Sequence, residues 1–229
     1  ASTGAKRALF EGIGEADSVS LDPHKWLYTP LGAGCLLFRS PARVGAAFAG
    51  TEAAYIKVFE RAAEHVPAHL RDATFAFWDY GTELSRPFRA LKVWATLRYY
   101  GVRRVAAAIE EDCAMAEYMA GRVAASEDFE LLAPVTLGIC CFRYAPPAAR
   151  RELEAAADDG ERERINTRLA RLNARAMLAV QHGGEAYVSN ADLRGLFALR
   201  ASVTNYRTTR GDIDLTLEVI RRAARELEG

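Results

Sequence analysis

Near the start of the chain, the run Asp22-Pro23-His24-Lys25-Trp26 sets an amine between an imidazole and an indole. Lysine turns nucleophilic when desolvation or a cofactor favours its neutral form, and imine formation is the usual outcome. The plain alternative is a lysine snorkelling over Trp26 with its ammonium in water, and the five residues alone leave both readings open. Elsewhere, chemistry-bearing side chains are sparser. His65 and His69 have the spacing of two metal ligands on one helix face, but Pro67 between them breaks that helix and no third ligand is evident, so metal binding is not expected. Cys35, Cys113, Cys140 and Cys141 contain no Cys-x-x-Cys pair, and Cys140-Cys141 lies in an apolar stretch, which reads as buried, reduced thiols.

These residues need elements to hold them. Residues 5–10 read as the end of a helix broken by Gly12 and Gly14, and residues 16–21 alternate like a short strand that runs into the lysine segment. Beyond it, Gly32 to Phe38 is an unbroken apolar run, the pattern of a strand buried on both faces. Residues 51–83 show no sustained period, a long irregular connection of the kind that carries function. From Arg86 to Tyr100, apolar residues recur at helical spacing up to Gly101, with Arg86, Arg89 and Lys92 placed for salt links between subunits or domains.

Val102, Val105, Ile109, Cys113, Ala116, Met119 and Val123 mark the stripe of a long helix that can bridge two domains, with Glu110, Glu111 and Asp112 on its wet side. Residues 129–132 and 135–144 look like strands, and 146–164 like a solvated linker leading into a helix. That helix carries the stripe Ile165, Leu169, Leu172, Ala176 and Val180 and stops at His182-Gly183-Gly184. Two β-prone stretches, 186–189 and 196–204, precede a final helix opened by capping-box spacing from Thr209 to Asp212. The last third is therefore a compact β-α-β-β-α unit.

With 229 residues, Lys+Arg 30 and Asp+Glu 30, the chain has no net charge to draw it to a polyanion, so nucleic-acid and membrane-surface binding are not expected. No apolar run approaches the length of a membrane span, and residues 1–7 lack the apolar core of a signal peptide, which points to the cytoplasm.

Residues 16–27, Ala-Asp-Ser-Val-Ser-Leu-Asp-Pro-His-Lys-Trp-Leu, resemble the cofactor-lysine segment of the group II pyridoxal-phosphate-dependent amino-acid decarboxylases, the family of the aromatic-L-amino-acid decarboxylases. Leu84-Ser85-Arg86-Pro87-Phe88-Arg89-Ala90-Leu91-Lys92-Val93-Trp94, with Tyr100-Gly101, is similar to the family's arginine-rich helix. Leu199-Arg200-Ala201-Ser202-Val203-Thr204-Asn205, continuing through Thr208-Thr209 to Asp212-Ile213-Asp214, is similar to its C-terminal strand-turn-helix.

The resemblance implies an α/β fold-type I enzyme that binds pyridoxal 5'-phosphate through Lys25 and decarboxylates an L-amino acid, with an aromatic substrate expected. His24 and Asp22 would lie beside the cofactor phosphate, His24 as a donor and Asp22 with a structural turn role as an equal alternative. A tyrosine in the loop before the arginine-rich helix would protonate the substrate carbon, and Tyr80 is the candidate; packing of an aromatic loop is its alternative. Were Phe77 to take that place, the family precedent points to an aldehyde synthase instead. Arg200 would hold the substrate carboxylate, with ion pairing inside the small domain as an equal alternative.

By the same resemblance the chain is the C-terminal half of such an enzyme. Residues 1–101 are expected to be the end of the large, cofactor-binding domain, 102–125 a bridging helix and 126–229 the complete α+β small domain. The expected partners are an amino-acid substrate, a second subunit in a homodimer and the N-terminal half of the enzyme on the same or a separate chain. Alone, the chain is expected to be inactive; a structural or dimerisation role for a truncated product is the remaining alternative.

Overall fold

The computed structural model describes residues 4, 6–48 and 77–228, with Asp79 described by its backbone alone. The chain divides into two units: residues 9–101, which carry the lysine, and residues 102–229 together with 1–8.

In the lysine unit, β1 (Ser18–Leu21) pairs antiparallel with β2 (Cys35–Phe38), Leu21 opposite Cys35 and Ser18 opposite Phe38. Because Leu21 and Cys35 are partners, residues 22–34 form a closed loop that leaves and re-enters the same end of the ribbon. The strand expected from Gly32 starts only at Cys35. Gly32 has φ +85°, a left-handed geometry that ends strand pairing there. Burial on both faces is also not seen, since Leu36 and Leu37 are 51% and 57% exposed. Helix α1 (Pro41–Phe48) follows, and a single 3-10 turn spans Phe77–Tyr80.

Helix α2 (Ala90–Tyr100) ends where Gly101, at φ 79°, donates its N–H to the Leu97 carbonyl at 3.0 Å. It begins after Arg86 and Arg89 rather than at Arg86, because Pro87 disfavours helical backbone at the residue before it. The buried residues of this unit, among those described, are Pro23, Thr29, Ala33 and Thr96. Three of these four described residues belong to the lysine loop.

The second unit is a four-stranded antiparallel sheet in the order β3 (Phe129–Leu131), β4 (Ile139–Tyr144), β6 (Leu196–Ser202), β5 (Ser189–Leu193). Arg194 and Gly195, both with positive φ, form the tight turn between Leu193 and Leu196, the geometry whose twist matches a hairpin. One sheet face, with Phe129, Cys140, Phe142, Tyr144 and Leu199, packs on α3 (Val102–Ala124), α5 (Asp159–Gly183) and α6 (Arg210–Glu228). Burial of Cys140 pushes its thiol up to about 12.

Asp112 is buried in α3 rather than on its wet side. It falls three residues after Ile109 and four before Ala116, on the buried stripe itself. The expected linker after Pro146 is instead helix α4 (Pro147–Ala155), which has proline in its first turn, where the missing N–H costs nothing. The capping box forms as read: Thr209 N–H donates to Asp212 Oδ2 at 2.8 Å, and Asp212 N–H to Thr209 Oγ1 at 3.3 Å. Asp128, buried at the entry to β3, accepts from Arg221 at 2.7 and 3.1 Å and from Arg225 at 3.2 Å, tying the sheet edge to α6. Burial alone would raise its carboxyl pKa, but the two guanidiniums win and hold it below the usual range.

Candidate active site

The loop between β1 and β2 is built from short-range backbone bonds. Lys25 N–H donates to the Asp22 carbonyl at 3.0 Å, Tyr28 N–H to the Lys25 carbonyl at 3.2 Å, and Thr29 N–H to the Pro23 carbonyl at 3.2 Å. Tyr28 has φ 52°, a left-handed position that turns the chain back on Pro23. Lys25 thereby sits on a single tight turn, with its side chain 65% exposed.

Its ammonium meets the Asp22 carboxylate at 2.7 Å. The hydrogen bond from Lys25 and its positive charge, with a further contribution from His24, hold the Asp22 carboxyl below the usual carboxylate range. His24 Nδ1 lies 2.9 Å from the Ala33 carbonyl oxygen. A carbonyl only accepts, so Nδ1 carries the proton, and Nε2 is the ring atom left for a ligand. Trp26 is half-buried in the same turn. The Thr29 hydroxyl, also in this loop, is buried and is the one buried side-chain polar atom among the described residues with no hydrogen-bond partner.

The structure therefore brings Lys25, His24 and Asp22 together on one turn. Tyr80 stacks on Phe38 of β2 with ring centroids 5.7 Å apart and 18° between planes. A Cβ added at Gly45 of α1 would lie 3.8 Å from the Tyr80 ring. Phe77 and Trp78 share its 3-10 turn and are exposed. Phe75, Ala76, His65 and His69 lie outside the described residues, and no group of three or more potential metal ligands occurs among those described.

Arg200 belongs to the other unit. On β6 it stands in one cross-strand row with Cys141 of β4 and Ser189 of β5, and it makes no ion pair among the described residues. Its positive charge draws the Cys141 thiol down, but burial is the larger effect and the thiol is raised.

Arg86 and Arg89 make local links within their own unit. Arg89 pairs with Glu83 at 2.8 Å, and Arg86 reaches the same carboxylate at 3.7 Å while donating to the Phe77 carbonyl at 3.1 Å. Lys92 does something the sequence did not signal: its ammonium donates to the Leu31 backbone carbonyl at 2.6 Å, inside the lysine loop. A backbone acceptor leaves no trace in residue type, so only the three-residue spacing of Arg86, Arg89 and Lys92 was visible.

A family profile described as the pyridoxal-dependent decarboxylase conserved domain matches residues 3–145. An aromatic-L-amino-acid decarboxylase of Bacillus atrophaeus is 32% identical over 226 residues, 96% of this chain and 41% of that protein. A phenylacetaldehyde synthase of a Rosa hybrid cultivar is 32% identical over 86% of this chain and 35% of its own. The crystal structure of Oryza sativa TDC with PLP and tryptamine superposes with a TM-score of 0.74 at 27% identity, covering 99% of this chain and 42% of that one. The chain thus spans about two fifths of the length of the relatives it matches.

Proposed function

This chain belongs to the pyridoxal-dependent decarboxylase family, and from that premise we propose that it supplies the lysine-bearing part of an enzyme that removes CO2 from an aromatic L-amino acid, giving the amine. The observation that carries the reading is the turn that presents Lys25 with an exposed side chain, beside an imidazole whose Nδ1 is already committed.

Lys25 and His24 fit pyridoxal phosphate. The amine is accessible for covalent attachment, and Nε2 of His24 is available to the phosphate, as a donor when the ring is protonated. Asp22 fits less well as a phosphate ligand. Its carboxylate is an anion spent on Lys25, so its role is to hold the lysine and the turn. Bound at Lys25, the cofactor supplies an electron sink for the charge left on the α-carbon when CO2 departs. Lys25 would hold the cofactor, and Arg200 would offer its fork of donors to the substrate carboxylate, with ion pairing inside the small domain as its alternative.

A phenolic hydroxyl from the segment between α1 and α2 returns a proton to the α-carbon. That segment contains Tyr80, the candidate read from the sequence, and Phe77, the residue whose presence in that place would favour the aldehyde synthase. The stack of Tyr80 on Phe38 supports a packing role that competes with proton donation.

Residues 1–101 as the end of the cofactor-binding domain, 102–125 as a bridging helix and 126–229 as the small domain belong to the same proposal. So do the homodimer and the preceding half of the enzyme. The exposed apolar side chains of the lysine unit, Trp94 at 63% and Phe88 at 72% among them, supply surface for both. A cytoplasmic site is supported by four free cysteines.

The similarity to a phenylacetaldehyde synthase favours one second reading, in which the amino acid, O2 and water give the aldehyde, CO2, ammonia and hydrogen peroxide. Both are tested in the intact polypeptide that carries this chain. After loading with pyridoxal phosphate and borohydride reduction, peptide mass mapping should place the cofactor on Lys25, with none attached in Lys25→Ala. With phenylalanine, tyrosine or tryptophan, CO2 and amine without peroxide are expected. Stoichiometric peroxide and ammonia would replace the first reading with the second. Tyr80→Phe should lose amine formation, and amine formation at the unsubstituted rate would remove Tyr80 as the proton donor.

A further inference from the structure

We infer that Lys92 is a positioning residue that holds the lysine loop in the shape that presents Lys25; the inference rests on Lys25 being the residue that takes the cofactor. Lys92 lies on α2, far from the loop in sequence, yet its ammonium donates to the Leu31 carbonyl at 2.6 Å. Gly32, the next residue, has φ +85°, and a Cβ built on it would come 3.4 Å from Lys92 Nζ. The residue after that is Ala33, whose carbonyl oxygen lies 2.9 Å from His24 Nδ1. One continuous path therefore runs from the ammonium through the Leu31 carbonyl, the left-handed Gly32 and the Ala33 carbonyl to the His24 ring, which adjoins Lys25.

The path has a direction. A left-handed glycine is free to relax in either sense, so the orientation of the Ala33 carbonyl depends on what fixes the peptide before it. Lys92 is suited to that task because, among the described residues, its charge is not spent on a carboxylate. Glu83, the acid of the neighbouring turn, is taken by Arg89 at 2.8 Å, and Lys92 makes no ion pair among the described residues. A charge-assisted bond to a backbone carbonyl is stronger than a neutral one and is indifferent to the side chain at Leu31, which is itself exposed. Thr96, one helical turn beyond Lys92 on the same face of α2, is buried, so this face of the helix is a packed one.

The test compares the intact polypeptide with Lys92→Met, which keeps the stem and removes the donor, and with Lys92→Arg, which keeps a donor. Hydrogen exchange reads the loop amides of residues 25–34, and the slow amides of the sheet unit serve as an internal reference for global stability. Borohydride trapping of pyridoxal phosphate on Lys25, followed by peptide mass, reads the rate of covalent capture. In Lys92→Met the loop amides should exchange about tenfold faster and capture should slow by about the same factor, as loss of one charge-assisted bond implies. Lys92→Arg should restore both, and Arg98→Met on the same helix should change neither.

Unchanged loop exchange in Lys92→Met would overturn the tether. Faster exchange with unchanged capture would overturn its role in positioning Lys25, and so would an equal effect in Arg98→Met or no rescue by Lys92→Arg. Absence of capture by the unsubstituted protein would strike the assignment of Lys25 instead, while the exchange measurement still decides the tether.

Discussion

The Asp22 carboxylate holds the Lys25 ammonium at 2.7 Å while the Asp22 carbonyl accepts the Lys25 N–H at 3.0 Å, so one residue fixes both the backbone and the side-chain end of its neighbour. A carboxylate whose pKa is lowered in the folded protein contributes stability above its ordinary pKa, about 3.9 for aspartate, and that contribution disappears as pH falls through the lowered value. The pair is therefore intact at neutral pH and is lost only in acid. Because the hydrogen bond and charge of Lys25 are the leading causes of the lowering, Lys25→Ala should move the Asp22 titration midpoint upward, towards the ordinary value. Carboxyl-carbon NMR across the acid range checks this, and an unmoved midpoint would mean that the ion pair does not form in solution. The same pairing explains a residue the sequence left ambiguous. Read as either a phosphate neighbour or a turn residue, Asp22 is neutralised by the one cation in its own turn, and only the fold of residues 22–25 could show that.

At the scale of elements, the sheet unit is joined by a polar residue where the helical stripe promised an apolar one. Asn173 on α5 is fully buried; it accepts the Tyr144 N–H at 2.8 Å and donates to the carbonyls of Tyr144 and Leu169 at 2.8 and 2.9 Å. Tyr144 ends β4 after its last partner, Phe129 on β3, and its outward backbone groups would otherwise be buried without bonds. Asn173→Leu, which keeps the branching at Cγ but removes both the donor and the acceptor, should destabilise the unit by roughly 2–4 kcal/mol, from the cost of leaving two buried backbone groups unsatisfied. Urea unfolding followed by circular dichroism measures it, and a loss below about 0.5 kcal/mol, the scale of an ordinary surface change, would refute the clamp. The apolar periodicity of α3, α5 and α6 and the Thr209 capping box were legible because helix period and cap chemistry are local. Asn173 and Lys92 were not, because each is explained by a backbone partner supplied from another part of the chain, and Asp112 was not, because its acidic side chain pointed to water although its spacing sets it on the helix's own buried stripe. Helix α4 was hidden for a different reason: its arginines and glutamates look like a solvated run, and Pro147 only marks its start once the helix is seen.

For the molecule as a whole, the two units differ in how much of their stability they contain. Residues 102–229 bury a continuous cluster from Ala116 and Met119 through Phe142 and Leu199 to Ile220 and Ala224, with the sheet covered on one face by three helices. The lysine unit, among its described residues, buries Pro23, Thr29, Ala33 and Thr96, none of them large, and leaves Leu36, Leu37, Phe88, Trp94 and Tyr99 in water. Burial of apolar area is the main term that offsets chain entropy, so residues 102–229 should fold by themselves and the lysine unit should need cover from outside. Among the described residues of the short segment 1–8, Lys6 makes an ion pair with Glu117 at 2.5 Å that water screens, so removal of the segment should matter little. Produced alone, residues 102–229 should therefore melt cooperatively and give a dispersed amide spectrum, whereas residues 9–101 alone should show neither. Non-cooperative melting of 102–229 would contradict the first half of this argument, and a cooperative transition in isolated 9–101 the second. The asymmetry also fits the chain's share of its relatives' length, since among the described residues the lysine loop supplies three of its unit's four buried residues, and packing from outside the unit would hold Lys25 stiller for chemistry.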